Sequence, residues 1–416
     1  MSEQPAEVSA SSPRRRWYQA IGPGLITACV VIGPGSILTS SKVGATYGFG
    51  IVWVLFVAVT FMMVYMTLGA KLGVVAGDSP GDLLTRLVGR WLAAVIGCGV
   101  FFISAAFQFG NNLGVYSAIE VYVPDPVYTP YIVVAFNILA IAFLFIFKNL
   151  YRMVERLMTL FVGLMLFAFA ANLVFALVHG SGDVSPAEQD KADVIAVLGW
   201  IGTTFAISAA YYQAYLVRQK GWGRPELRNG LIDARVGSII LACITLMIMS
   251  TSAIVLRGQT LTGVGQVAAQ LKPLFGVWGQ GLFCLGLFSA AYSSFIVNSM
   301  IGGFILADGL GLGHKPVDLW PRIATTAVLL VGMVVALLVC QLKINPLPAI
   351  VAAQAVTVVA APLSAAALLW LTNRADVMGD DRNGVAVNLV AGLGFVMLLL
   401  IAGHVAVNKV WPQLAG

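Results

Sequence analysis

Long apolar stretches, separated at short intervals by charged or glycine- and proline-rich turns, run through nearly the whole sequence. A bilayer core of about 30 Å takes roughly 20 apolar residues per helix. On that measure spans fall near 20–46, 51–76, 91–121, 129–148, 153–178, 194–220, 231–256, 276–308, 323–342, 347–372 and 385–408. The pattern predicts an all-α membrane protein with 11 transmembrane helices. The stretches near 78–90 and 260–273 read as short interfacial helices. Residues 1–19 form a polar tail with the run Arg14-Arg15-Arg16. The apolar stretch that follows is too long for a signal peptide.

Composition agrees with this map and narrows the function classes. The chain is 59% hydrophobic and only 10% charged, whereas soluble domains are nearer a quarter charged. The net charge of +6 needs no nucleic acid, because membrane proteins concentrate Lys and Arg on the cytoplasmic side. With the N-terminus inside, the outer segments keep only Lys191, Arg257, Lys272, Lys343 and Lys409, Lys42 stays within a span, and the other 18 of the 24 Lys and Arg residues fall inside. The expected location is a cell membrane, with a cytoplasmic N-terminus and an external C-terminus. The five cysteines (Cys29, Cys98, Cys243, Cys284, Cys340) show neither a metal-ligand spacing nor a disulfide framework.

Two spans carry signs of interruption. Span one contains Ile32-Gly33-Pro34-Gly35-Ser36, where a missing amide donor beside two glycines favours unwinding at mid-membrane. Span six lacks a central proline but holds the polar cluster from Gly202-Thr203-Thr204 to Ser208 and Tyr211-Tyr212-Gln213. Spans one and six lie five apart and cross in opposite directions. That relation is expected of two five-helix inverted repeats, with the substrate site where the broken helices meet. The repeats would cover 20–178 and 194–372, with 385–408 as an appended helix.

The runs Gly33-Pro34-Gly35-Ser36, Val43-Gly44-Ala45, Leu72-Gly73-Val74-Val75-Ala76-Gly77 and Val377-Met378-Gly379, together with Gln354, resemble the Nramp metal-ion transporters from about Gly22 to Gly379. The resemblance implies a LeuT-like fold with helices 1 and 6 broken. It places Gly33 at the family's metal-binding aspartate, Ser36 at its asparagine, Ala206 at its methionine and Ser208 at its histidine. Gln213 replaces a second histidine, and the third-helix acids fall on Gly110 and Leu113. The altered residues therefore point away from transition-metal transport.

An inventory of charge extends that reading. The acids fall in the tail, in loops or at span ends, so the central site offers hydroxyls, amides and carbonyls. Lys42 lies six residues beyond Ser36, roughly 9 Å along a helix, and an intramembrane lysine is by default a functional candidate. Helix N-termini at the two breaks favour an anion. The expected substrate is an organic carboxylate, citrate in the first instance, moved by alternating access with protons as coupling ion. Its binding set would be Gly33, Gly35, Ser36, Thr39, Ser40, Lys42, Asn111, Thr203, Thr204, Ala206, Ser208, Tyr212 and Gln354. Tyr211, Tyr215 and Arg218 would line a vestibule. One alternative is a hydrated divalent cation such as magnesium; another is a non-transporting sensor. No enzyme constellation is visible, and no cofactor, resident metal or nucleic-acid partner is expected. The chain is expected to work in the lipid bilayer as a monomer. The eleven-span map predicts that thiol reagents reach cysteines placed at the two termini from opposite faces; reaction of both from one face would refute it.

Overall fold

The computed structural model describes residues 22–147, 149–179, 194–259, 261, 264–341, 361–405 and 407. Their regular structure is helical throughout: α1 Pro23–Val31, α2 Pro34–Tyr47, α3 Val52–Val75, α4 Pro80–Leu87, α5 Arg90–Glu120, α6 Thr129–Ile146, α7 Leu150–His179, α8 Val194–Thr204, α9 Ile207–Gln219, α10 Leu227–Val255, α11 Val264–Gly309, α12 Leu319–Gln341, α13 Ala361–Leu371, α14 Ala375–Met378 and α15 Val385–Val405. Among the described residues, 8 helices are long and apolar enough to cross a membrane, or up to 9 when α1 and α2 count as one bent span. α8 with α9 occupies the predicted sixth span, and α13 the end of the tenth. The tail, residues 347–360 of the tenth span and Gln354 lie outside the described residues.

The expected interfacial helix near 78–90 is α4. The one near 260–273 is not separate, because from Val264 onward that stretch is continuous with α11. At 1.5 Å per residue, the 46 residues of α11 make a rod of about 69 Å, roughly twice the bilayer core. Part of α11 therefore extends beyond the hydrocarbon region.

The break in span one follows from Pro34. In a continuous helix the Val30 carbonyl would accept from the amide of residue 34, and proline has none. α1 ends with Ile32 N–H donating to Ala28 O at 3.1 Å. Gly33 is extended (φ −96°, ψ −179°), and Pro34 opens α2 at a first-turn position that suits it. The two halves meet at 59°. The stranded carbonyl is repaired from α11: Ser294 Oγ donates to Val30 O at 3.0 Å. Ser293 Oγ lies 3.4 Å from Cys29 O but has Ala290 O nearer, at 3.1 Å. Pro34 itself fits against Gly114 of α5, where any larger residue would collide with its ring.

The second break uses no proline. α8 closes with Phe205 N–H donating to Ile201 O at 2.7 Å, and α9 restarts on the carbonyl of Ala206, which accepts from Ala209 and Ala210 at 3.0 and 3.2 Å. Gly202, Thr203 and Thr204 before it are weak helix formers.

α1 packs against α7, α9, α10 and α11, and α2 against α8, α10 and α5. Its start is held by a buried carboxylate. Asp233 of α10 is fully buried; its Oδ1 accepts from Gly22 N–H at 2.7 Å and its Oδ2 from Gly24 N–H at 2.6 Å. A helix N-terminus favours such an anion, because its first amides lack intrahelical partners. Gly237, one turn further along α10, lets the two backbones touch where a side chain would strike Gly24 O.

Ser294→Ala should strand the Val30 carbonyl and destabilise the protein by about 1–3 kcal/mol, read as a lowered melting temperature in detergent. Ser293→Ala should cost clearly less, since its hydroxyl has a partner within its own helix. Equal losses would refute the repair.

Candidate functional site

The two breaks are neighbours because the half-helices pack crosswise, α1 with α9 and α2 with α8. Each pairing has a side-chain tie. Thr27 Oγ1 donates to Gln213 Oε1 at 2.5 Å, and Gln213 Nε2 donates to Asp233 at 3.2 Å. On the other side, Trp200 Nε1 donates to Ser40 Oγ at 2.9 Å.

Gly33, Gly35, Ser36, Thr39, Ser40, Asn111, Thr203, Thr204, Ala206, Ser208 and Tyr212 are all buried. Several hydroxyls are already committed. Thr39 Oγ1 donates to Gly35 O at 2.8 Å and Thr203 Oγ1 to Trp200 O at 3.0 Å. Thr204 Oγ1 is enclosed and has no partner among the described residues. Gly33 is the focus: a Cβ there would stand 2.9 Å from Ser294 Oγ and 3.2 Å from Asn111 Oδ1. Two uncharged oxygens, from α11 and α5, thus converge where the resemblance would put a carboxylate. Behind them lies an amide network. Asn111 Nδ2 donates to Gln108 Oε1 at 3.3 Å, Asn137 Nδ2 to Asn112 Oδ1 at 2.7 Å, and Asn298 Nδ2 to Ser104 O at 2.7 Å. Gln108 Nε2, Asn137 Oδ1 and Ser104 Oγ are left over, buried and unpartnered among the described residues. Beside the second break a recess of about 10 Å³, lined by Gly202, Phe205, Ala206, Ile207 and Ser208 among others, has room for about one water.

The vestibule residues are otherwise engaged. Tyr211 and Tyr215 are 1% and 2% exposed, and the Tyr215 hydroxyl donates to Asp308 at 2.5 Å. Tyr212 stacks on Tyr215 with ring centres 5.7 Å apart. The Arg218 guanidinium closes the end of α3, donating to Ala76 O at 2.8 Å and Gly77 O at 2.9 Å. These contacts close the expected vestibule instead of lining it. Lys42 is half-buried on α2. Asp233 and Asp308 are the residues the sequence reading missed as contributors. An acid within or at the end of an apolar span was the available signal for them; Ser294 was one of several polar residues on its span, and its partner on α1 sets it apart.

Chemically, the breaks present both ends of the helix dipole. N-termini of α2 and α9 are positive, but C-termini of α1 and α8 supply carbonyls, and such half-helix ends coordinate cations. The expectation of an anion counted only the first kind.

Residues 24–408 match the family described as Natural resistance-associated macrophage protein-like. The divalent metal cation transporter MntH of Verminephrobacter eiseniae is 26% identical over 390 residues, 91% of this chain and 86% of its own length. MntH of Chromohalobacter salexigens is 26% identical over 423 residues, 96% and 93% of the two chains. Among solved structures, a variant of the Eremococcus coleocola manganese transporter superposes with a TM-score of 0.76 at 17% identity, covering 95% of this chain and 88% of that one. MhsT in complex with L-phenylalanine gives 0.62 at 15% identity, covering 91% and 98%. The fold is therefore LeuT-like. Expectations of citrate, of any organic carboxylate and of Lys42 as its counter-charge are corrected: relatives matching almost end to end are divalent metal cation transporters. The pointer away from transition metals is withdrawn on the same ground. Matched from the first half-helix to the last span, this multi-pass membrane protein is no enzyme; it belongs to the natural resistance-associated macrophage protein family.

Proposed function

We propose that this chain is a secondary transporter of divalent metal cations, which it holds at the paired breaks through uncharged oxygens while the ion keeps part of its water shell. The observation that carries the reading is the convergence of Ser294 Oγ and Asn111 Oδ1 on Gly33. With the C-terminal carbonyls of α1 and α8 and the unpartnered Thr204 hydroxyl, they offer a wholly oxygen set. Carbonyl and water ligands suit magnesium and manganese, whereas thioether sulfur selects softer ions. Ala206 supplies no sulfur. Without a carboxylate the site is poor at stripping a dication of water, since dehydration must be offset by strong ligands. The enclosed amide and hydroxyl groups around it suit a hydrated ion, whose waters donate and accept hydrogen bonds.

Gly33, Gly35, Ser36, Thr203, Thr204, Ala206, Ser208 and Asn111 are proposed to border this site. Thr39, Ser40, Tyr212, Tyr211, Tyr215 and Arg218 hold the half-helices around it. Alternating access would act through the two five-helix repeats, 20–178 and 194–372, with the N-terminus in the cytoplasm as the Lys and Arg distribution requires.

Purified protein in liposomes should take up Mg²⁺ and Mn²⁺ saturably, and excess Cd²⁺ should compete weakly for want of a sulfur ligand. Absence of saturable flux for both hard ions, or strong block by Cd²⁺, would overturn the reading. Gly33→Asp alone should lower uptake about tenfold or more, because its Cβ meets Ser294 and Asn111. Gly33→Ala, which brings the Cβ without the charge, should lower uptake as well; an unaffected Gly33→Ala would argue against a steric cause.

A further inference from the structure

Three side chains of metal-binding type meet at the end of the bundle that carries α4, at residues the breaks do not use. Asp82 of α4, Asp308 in the last turn of α11 and His314 in the loop after it offer ligand atoms that all lie within 4.8 Å of one another. His314 Nδ1 is 3.6 Å from Asp82 Oδ2 and 3.8 Å from Asp308 Oδ1. Neighbouring ligands of a divalent ion, each 2.0–2.3 Å from it, lie roughly 3–3.7 Å apart. The two distances from the histidine are already within about a tenth of an ångström of that range, and a rotation of the partly exposed Asp82 side chain would bring its carboxylate in.

The charge balance also calls for a cation. Asp308 is 1% exposed and accepts from Gly81 N–H at 2.8 Å and Tyr215 at 2.5 Å. The Ser79 hydroxyl stands 2.7 Å from Asp308 Oδ1 and 2.9 Å from Asp82 Oδ2, and its single proton serves one of them.

We propose that Asp82, Asp308 and His314 form a second divalent-cation site, apart from the helix breaks, that takes a transition-metal dication. Two carboxylates neutralise the ion. The imidazole favours a transition metal over Mg²⁺, which prefers oxygen and water. Because Tyr215 of α9 shares Asp308, an ion here is tied directly to the second half of the second broken helix. The site does not depend on the transport reading, and its failure would leave that reading standing.

The test is Mn²⁺ binding to the purified full chain, followed by the paramagnetic resonance signal of free Mn²⁺, with excess Mg²⁺ present throughout. Asp82 and His314 are partly exposed, so Asp82→Asn and His314→Gln should fold normally; thermal unfolding checks this. Wild-type protein should bind one Mn²⁺ that each variant binds at least tenfold more weakly, and that Gly33→Asp retains. Co²⁺ at the same site should show a visible spectrum that changes in His314→Gln. Identical Mn²⁺ isotherms in wild type and both folded variants would overturn the proposal. So would binding that only Gly33→Asp removes.

Discussion

Unpaired peptide groups inside an apolar medium are the constraint on which the rest of this molecule depends. Two helices stop and restart in the middle of the bundle, and each interruption frees carbonyls and amides that lipid cannot satisfy. Their repair recruits the surrounding helices: α11 sends Ser294 to Val30, and α10 sends Asp233 to the first amides of α1. The packing order around α1 and α2 is thus tied to where those backbone groups find partners. The same repairs put polar atoms at the breaks, where an ion can use them.

Most of the architecture was legible in the sequence because it rests on local signals. Pro34 between Gly33 and Gly35 announces a break whatever surrounds it, and spans about 20 apolar residues long announce themselves by composition. The second break was harder to read, since Gly202, Thr203 and Thr204 weaken a helix without forbidding it. The continuity of α11 through 264–273 was not legible, because no rule on span length says where a helix projecting from the bilayer begins.

The sequence marked the two breaks, and the sign of the substrate was misread. Gly33 and Ser36 flank the first break and Thr204 ends α8 before the second, but whether such groups favour an anion or a cation depends on which helix ends and which neighbours face them. Asn111 and Ser294 come from elements far away in sequence, and only the fold brings their oxygens to Gly33. Arg218 was expected to line a vestibule, yet its guanidinium donates to the carbonyls of Ala76 and Gly77. A cationic side chain near a span end more often closes a helix terminus than greets a ligand.

The 59° bend between α1 and α2 has a mechanical consequence. An unbroken helix of that length would tilt as a rod, so any movement at one end would be carried to the other. Here each half has its own anchor: α1 is fastened to α10 through Asp233, and α2 to α8 through Trp200 and Ser40. Gly33 between them is a joint without a side chain. Either half can shift without dragging its twin, which a single rod would not allow.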